Sequence, residues 1–299
     1  MNPKDLMEEL SQRPLLCDGA MGTELIKRGL TPGACGEKWN VDRPEMLEEI
    51  HRAYREAGCD LLTTNTFGGT EEALKRHALE NEVGALNSAG AAAARAVAGE
   101  EAWVLGDVGP FGGFLEPVGE TDPRMAAEWF RQQVAALVSG GADAIIVETM
   151  ADPAELHVAV RAARDIGDWP IIATYAFQKG EGGVFRTMMG TTVQEAMDAA
   201  MQAGANVIGA NCGTALGLPD YIELAKQLVA ASDGRPVILQ PNAGAPGMVD
   251  GKLVYPASPA EMGDLVKPLL DAGVRIIGGC CGTNPAHLKA MAEAMKAER

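Results

Sequence analysis

The chain lacks any apolar run near the roughly 20 residues that a membrane-spanning helix needs, so no membrane association is expected. It also lacks a secretory leader: the opening MNPKDLMEELSQRPLL carries acids where a signal would place basic residues and an apolar core. A cytoplasmic location follows by default. Basic residues are scarce, 25 Lys and Arg against 41 Asp and Glu in 299 residues, for a net charge of -16. That is the wrong sign for a nucleic-acid footprint or for docking on an anionic membrane, and neither partner is expected. The six cysteines are too few for a disulfide framework and, in a reducing compartment, read as thiols or metal ligands. No CxxC pair marks a zinc site, and no GxGxxG follows the first β-like run; GAMG at Gly19–Gly22 is not that fingerprint.

What is present is a repeat. Hydrophobic residues make up 47% of the chain, ample for a core. A short apolar run, a Gly-rich or polar loop and a helix-length stretch recur eight times. The candidate strands are Pro14–Asp18, Asp60–Asn65, Ala102–Asp107, Ala144–Glu148, Pro170–Tyr175, Asn206–Cys212, Pro236–Asn242 and Val274–Gly279. Runs such as ADAIIVET and RPVILQPN do not alternate apolar with polar, which predicts parallel strands buried on both faces. Amphipathic stretches between them, such as PEMLEEIHRAYREAG and PAEMGDLVKPLLDAG, end in glycine as helices do. The expected fold is α/β: a (β/α)8 TIM barrel, one domain over residues 1–299, although a doubly wound sheet shares the alternation. A short helix at about residues 2–11 is expected to cover one end of it. The loops after strands three, five and seven are long, on the face where barrels place their active sites.

Polar residues end nearly every strand: Asp18, Asn65, Asp107, Glu148, Tyr175, Asn211–Cys212 and Asn242, with Cys280–Cys281 following the last. In a closed barrel they converge on one mouth, although any single one serves equally well as a loop cap. Cys212 and Cys280–Cys281 belong to strands six and eight, and alternate strands contribute to one layer. Three thiolates there form a Zn²⁺ site with Zn–S bonds of roughly 2.3 Å and a fourth position open to substrate. Asn242 is placed to fill that position weakly when substrate is absent. Glu148 suits a substrate ammonium, or else a helix N-terminus. The DGAMGT turn offers N–H groups to a carboxylate, or is simply a tight turn. Asn65 and Asp107 are expected to hold loops and ligands in place. Cys17, Cys35 and Cys59 read as buried packing cysteines. His51, His77, His157 and His287 fall in helical stretches and read as surface or packing residues. Met188–Met189 and Phe111–Phe114 lie in the long loops, where they either shield a methyl donor from water or pack the loops.

The segments LLCDGAMGTELIKRGL, EKWNVDRPEMLEEIHRAYREAGCDLLTTNTFGG, IGANCGTALG and IIGGCCGTNPAHL resemble the homocysteine S-methyltransferase family. Within it, the chain is most like the homocysteine-binding barrel that opens cobalamin-dependent methionine synthases. The resemblance covers nearly the whole chain. It implies a zinc ion on Cys212, Cys280 and Cys281, and methyl transfer to the thiol of homocysteine, giving methionine. It further implies that Asp18, Glu148 and the backbone of Ala20, Met21, Gly22 and Thr23 surround the amino and carboxylate ends of homocysteine. The implied donor is methylcobalamin or another methylcorrinoid on a separate domain or protein. The sequence ends at Arg299 without folate- or cobalamin-binding portions. That leaves a fragment, a separate corrinoid protein in trans, or a small sulfonium or betaine-like donor, with the first two motifs favouring a corrinoid. Rival readings are a methyltransferase for another small thiol, a non-catalytic zinc-binding module and, third, a zinc hydrolase, whose ligands are usually His and carboxylate.

Overall fold

A computed structural model describes residues 3–249 and 252–298. Its eight parallel strands are β1 (Leu15–Leu16), β2 (Leu61–Thr63), β3 (Trp103–Val108), β4 (Ala144–Met150), β5 (Ile171–Tyr175), β6 (Val207–Cys212), β7 (Val237–Pro241) and β8 (Ile276–Ile277). They pair in sequence order from β2 through β8, and β8 pairs with β1 at Leu15↔Ile276. A parallel bridge Cys17↔Leu61, with Asp18 N donating to Leu61 O at 3.1 Å, joins β1 to β2 and closes the cylinder. The fold is the expected TIM barrel, and each strand lies within the segment predicted for it or within two residues of its end.

Both strand faces are buried, which explains the missing alternation. Leu15, Leu61, Leu105, Ile146, Ile172, Val207, Ile238 and Ile276 pack inside the barrel. Val104, Ile145, Val147, Ile208 and Leu239 point outward against the helices. Helix starts are fixed locally. Asp122 and Asp152 cap helices that open on Pro123 and Pro153, and Thr192–Glu195 and Ser258–Glu261 form reciprocal capping boxes.

The helix Pro3–Gln12 inserts Leu6 and Leu10, both fully buried, into the cluster formed by the inner barrel residues. Leu10 O accepts from the Arg275 guanidinium, tying the end of this helix to the segment entering β8. The helix therefore plugs the N-terminal end of the cylinder and leaves the opposite end as the mouth.

Two features differ from the sequence expectation. The loops after β5 and β7 contain small antiparallel hairpins, Phe177–Lys179 with Phe185–Thr187 and Gly247–Val249 with Lys252–Val254. Their three-residue arms are too short to register as β-patterned runs. His77 lies in a turn after the five-residue helix Glu71–Lys75 rather than in a helix. No helix among the described residues is long and apolar enough to cross a membrane.

Candidate active site at the barrel mouth

A cavity of about 540 Å³ opens at the C-terminal ends of the strands. On its wall the Sγ atoms of Cys212, Cys280 and Cys281 lie within 4.8 Å of one another. Cys212 and Cys281 are 3.9 Å apart and Cys280 and Cys281 4.0 Å. A tetrahedral ion with Zn–S bonds near 2.3 Å would set its sulfurs about 3.8 Å apart, so the donor set fits. All six cysteines are free. Packed this closely, Cys212 and Cys280 donate toward Cys281 and draw its thiol far below the ordinary range. No His, Asp or Glu joins the three sulfurs among the described residues.

Backbone conformation brings the sulfurs together. Cys212 ends β6 at φ +56, the left-handed region that L-residues other than glycine seldom adopt. Gly213 continues the turn at φ +105, and a Cβ there would come within 2.8 Å of Phe177 O. Beyond β8 the chain stays tied to β7's end, with Cys280 N donating to Pro241 O and Ala243 N to Cys281 O. Gly282 then turns at φ +80 under the Tyr255 ring, where a Cβ would meet ring carbon at 2.2 Å. That turn lets two adjacent cysteines face one point.

Carboxylates line the same cavity. Asp18 is buried and accepts from Thr63 N at 2.8 Å and Thr63 Oγ1 at 2.8 Å, yet burial pushes its carboxyl up to about 7. Glu148 is pushed up to about 8, first by burial and then by Cys281 and Asp18. Asp107 is raised by burial and by Glu148, Glu37 and Asp18, and its Oδ1 has no partner. No Lys or Arg lines the cavity among the described residues, so these acids face one another without a countercharge. Such a pocket favours a cation.

Met21, Gly22 and Thr23 form the first turn of the helix Met21–Lys27, whose N–H groups have no partner inside a helix. Ala20 N is already committed, donating to Thr283 Oγ1, and the Thr23 hydroxyl accepts from Gly282 N. Asn65 lines the cavity with its amide donated to Gly36 O and Asn40 Oδ1, holding the loop after β1. Glu148 is not at a helix start; Asp152 caps that helix.

Asn242 lies beside the sulfurs, just outside the cavity lining: it is buried against Cys212–Gly213, its side chain hydrogen-bonds the Cys212 thiol, Nδ2 donates to Gly213 O at 3.1 Å, and Oδ1 is unpartnered. Tyr175 is also absent from the lining and packs 6.2 Å from the Phe177 ring. Phe111 is core, stacked near Trp129 and Phe130, whereas Phe114, Met188 and Met189 are exposed. Cys17 and Cys59 are buried, but Cys35 is half-exposed and donates to Glu37 at 3.2 Å.

The sequence pattern missed Glu37 and Gln240. Glu37 lines the cavity from the loop after β1 and accepts from Gly68 N at 2.7 Å. Sitting in mid-loop, it escapes a search of strand ends, although it opens the EKWN motif. Gln240 lies inside β7 with Oε1 buried and unpartnered, hidden within an apolar run.

A model of the homocysteine S-methyltransferase family matches residues 15–295. The methionine synthase of Mycobacterium leprae (strain TN) is 34% identical over 309 residues, covering 97% of this chain and 25% of that protein. The methionine synthase of Mycobacterium tuberculosis (strain ATCC 25618 / H37Rv) is 34% identical over 312 residues, with the same coverage of 97% and 25%. The chain thus spans about a quarter of the length of these relatives. In fold it is similar to the metallated form of the homocysteine methyltransferase MmuM from Escherichia coli, with a TM-score of 0.77, 24% identity and 100% of both chains covered. A family match across nearly the whole sequence and two relatives sharing a third of its residues lead to one assignment: the chain belongs to the homocysteine S-methyltransferase family.

Proposed function

We propose that this barrel is a zinc-dependent S-methyltransferase that moves a methyl group to the thiolate of homocysteine, giving methionine. The observation that carries it is three sulfurs at zinc spacing in the wall of a cavity that also carries the acids Asp18, Glu37, Asp107 and Glu148 and, among the described residues, no Lys or Arg. Cys212, Cys280 and Cys281 would hold the ion. When bound there, zinc supplies a substrate thiol kept deprotonated at neutral pH, with a coordination position left open to receive it. The three cysteine thiolates outweigh a divalent charge and so leave electron density on an incoming sulfur. Glu148, Asp18 and Asp107 give the substrate ammonium the negative partners it needs, and the ammonium gives these acids their missing countercharge. The first-turn N–H groups of Met21, Gly22 and Thr23 are suited to the carboxylate. Held by Glu148, Asp18 and these N–H groups, the homocysteine thiolate would meet the donor methyl in line, the new S–C bond forming as the leaving group departs with its bonding pair.

The donor in this reading is a methylcorrinoid carried on a separate domain or protein. Among the described residues eleven large hydrophobics are exposed, and each lies between the end of a barrel strand and the first turn of the returning helix. They include Phe67, Phe114, Val118, Met188 and Met248 around the mouth. An apolar mouth on a strongly acidic molecule suits a macromolecular carrier.

Methyl transfer to homocysteine from methylcobalamin, S-methylmethionine, S-adenosylmethionine and betaine, assayed in parallel, tests the donor. Turnover with the corrinoid alone is expected; turnover only with a sulfonium or betaine overturns that part. Zinc-edge spectroscopy tests the site, because homocysteine must add a sulfur ligand. An unchanged spectrum would return the protein to a closed zinc-binding module. Glu148→Gln tests the acceptor: retained selectivity for homocysteine over simple thiols would point to a different thiol.

A further inference from the structure

Glu148 enters the cavity through an irregular piece of β4. Ile146 faces the barrel interior and Val147 the helices, as strand alternation requires. Met150 is due inward by the same count, yet it packs in the outer layer, and the β4–β5 register shifts between Val147 and Met150. The break is at Thr149, which sits at φ +61. A β-branched residue in the left-handed region is strained and stays there only when its surroundings hold it.

Asn211 does most of the holding, with Thr149 N also donating weakly to Thr174 Oγ1 at 3.4 Å. The Asn211 carboxamide is buried at the end of β6, directly before Cys212. Its Oδ1 accepts from Thr149 N at 2.8 Å and from Thr174 Oγ1 at 2.7 Å. Its Nδ2 donates to Thr149 Oγ1 at 2.7 Å and lies 4.0 Å from Cys280 Sγ. Both ends of Thr149 are thus gripped by one amide, whose own orientation is set by Thr174. The residue so gripped is the next one after Glu148.

We infer that Asn211 is a positioning residue: by clamping Thr149 in the left-handed conformation it fixes the Glu148 carboxylate in the cavity, in register with the cysteine ligands. The inference deepens the reading of Glu148 as the ammonium partner and rests on it.

The test uses the zinc-loaded protein, titration of homocysteine by calorimetry, steady-state kinetics and metal content. Asn211→Ala is expected to weaken homocysteine binding and raise KM about tenfold, the effect of one misplaced charged hydrogen bond. Bound zinc should stay stoichiometric and kcat should change less than KM. Adding Thr149→Gly should restore most of the affinity, because glycine adopts φ +61 without strain. A merely structural role for Asn211 would not be rescued at position 149. Unchanged affinity in Asn211→Ala, or no recovery in the double variant, overturns the inference. If Asn211→Ala does not fold, Thr174→Val frees the carboxamide more gently and should raise KM about threefold, and an unchanged KM there also overturns it. Glu148→Gln separates the two levels. If it leaves affinity unchanged, the reading of Glu148 fails and takes the inference with it. If it weakens binding while Asn211→Ala does not, only the inference fails.

Discussion

Cys281 shows how much a single residue's setting decides. Its sulfur meets that of Cys212, 69 positions away, because Cys212 accepts a left-handed backbone and Gly282 turns the chain beneath Tyr255. Cys281→Ala should abolish stoichiometric zinc and cut methyl transfer by more than about a hundredfold, beyond the loss usual for outer-shell changes, as read by metal analysis and turnover. The three cysteines were legible in the sequence because cysteine is rare here and these three fall at or just beyond strand ends. Asn242 was legible as a strand-end residue near Cys212, but its bond to Gly213 O was not, since the direction of one side chain depends on the turn at Gly213. His51 is a different case. It is buried with neither ring nitrogen hydrogen-bonded, and burial lowers its pKa to about 4. Unfolded, it titrates near 6.5. Between those values the unfolded chain binds the extra proton, so the stability contributed by neutral His51 is full above pH 6.5 and is lost as pH falls toward 4. At pH 5 the loss is about 2 kcal/mol. The cavity acids shift in the opposite sense, so the comparison must be with a variant. Relative to wild type, His51→Leu should gain about 2 kcal/mol between pH 7.5 and pH 5, measured by urea unfolding at each pH.

Among the elements, the barrel strands were the most legible, since continuous apolar runs report burial on two faces. The hairpins after β5 and β7 were not, because three-residue arms carry too little pattern. The helix Pro3–Gln12 was legible from its length and position, but its partners were not, since Leu6 and Leu10 meet residues from strands throughout the chain. Its energetic role follows from burial. Leu10→Ala should cost about 2–5 kcal/mol of unfolding free energy while leaving the KM for homocysteine unchanged, because the plug and the cavity occupy opposite ends. Urea denaturation and kinetics on the same preparation check both halves.

On the scale of the whole molecule, polarity is distributed by face. Among the described residues, the exposed large hydrophobics keep to the strand-to-helix side. The sequence showed Phe114 and Met188–Met189 in long loops but not that the other exposed hydrophobics share their face, which only closure of the barrel reveals. Replacing Phe114, Met188 and Met248 together with serine should slow transfer from a protein-borne methylcorrinoid about tenfold or more. Transfer from free methylcobalamin should change little, and the ratio of the two rates is the measurement. The plug at the far end also sets the traffic. A vessel with a sealed floor has one doorway, so under the proposed function amino acid and methyl carrier would have to use it in turn. A carrier seated across the doorway would shut homocysteine in and methionine in behind it. Turnover would then be strictly ordered, with the thiol first to arrive and its methylated product last to leave.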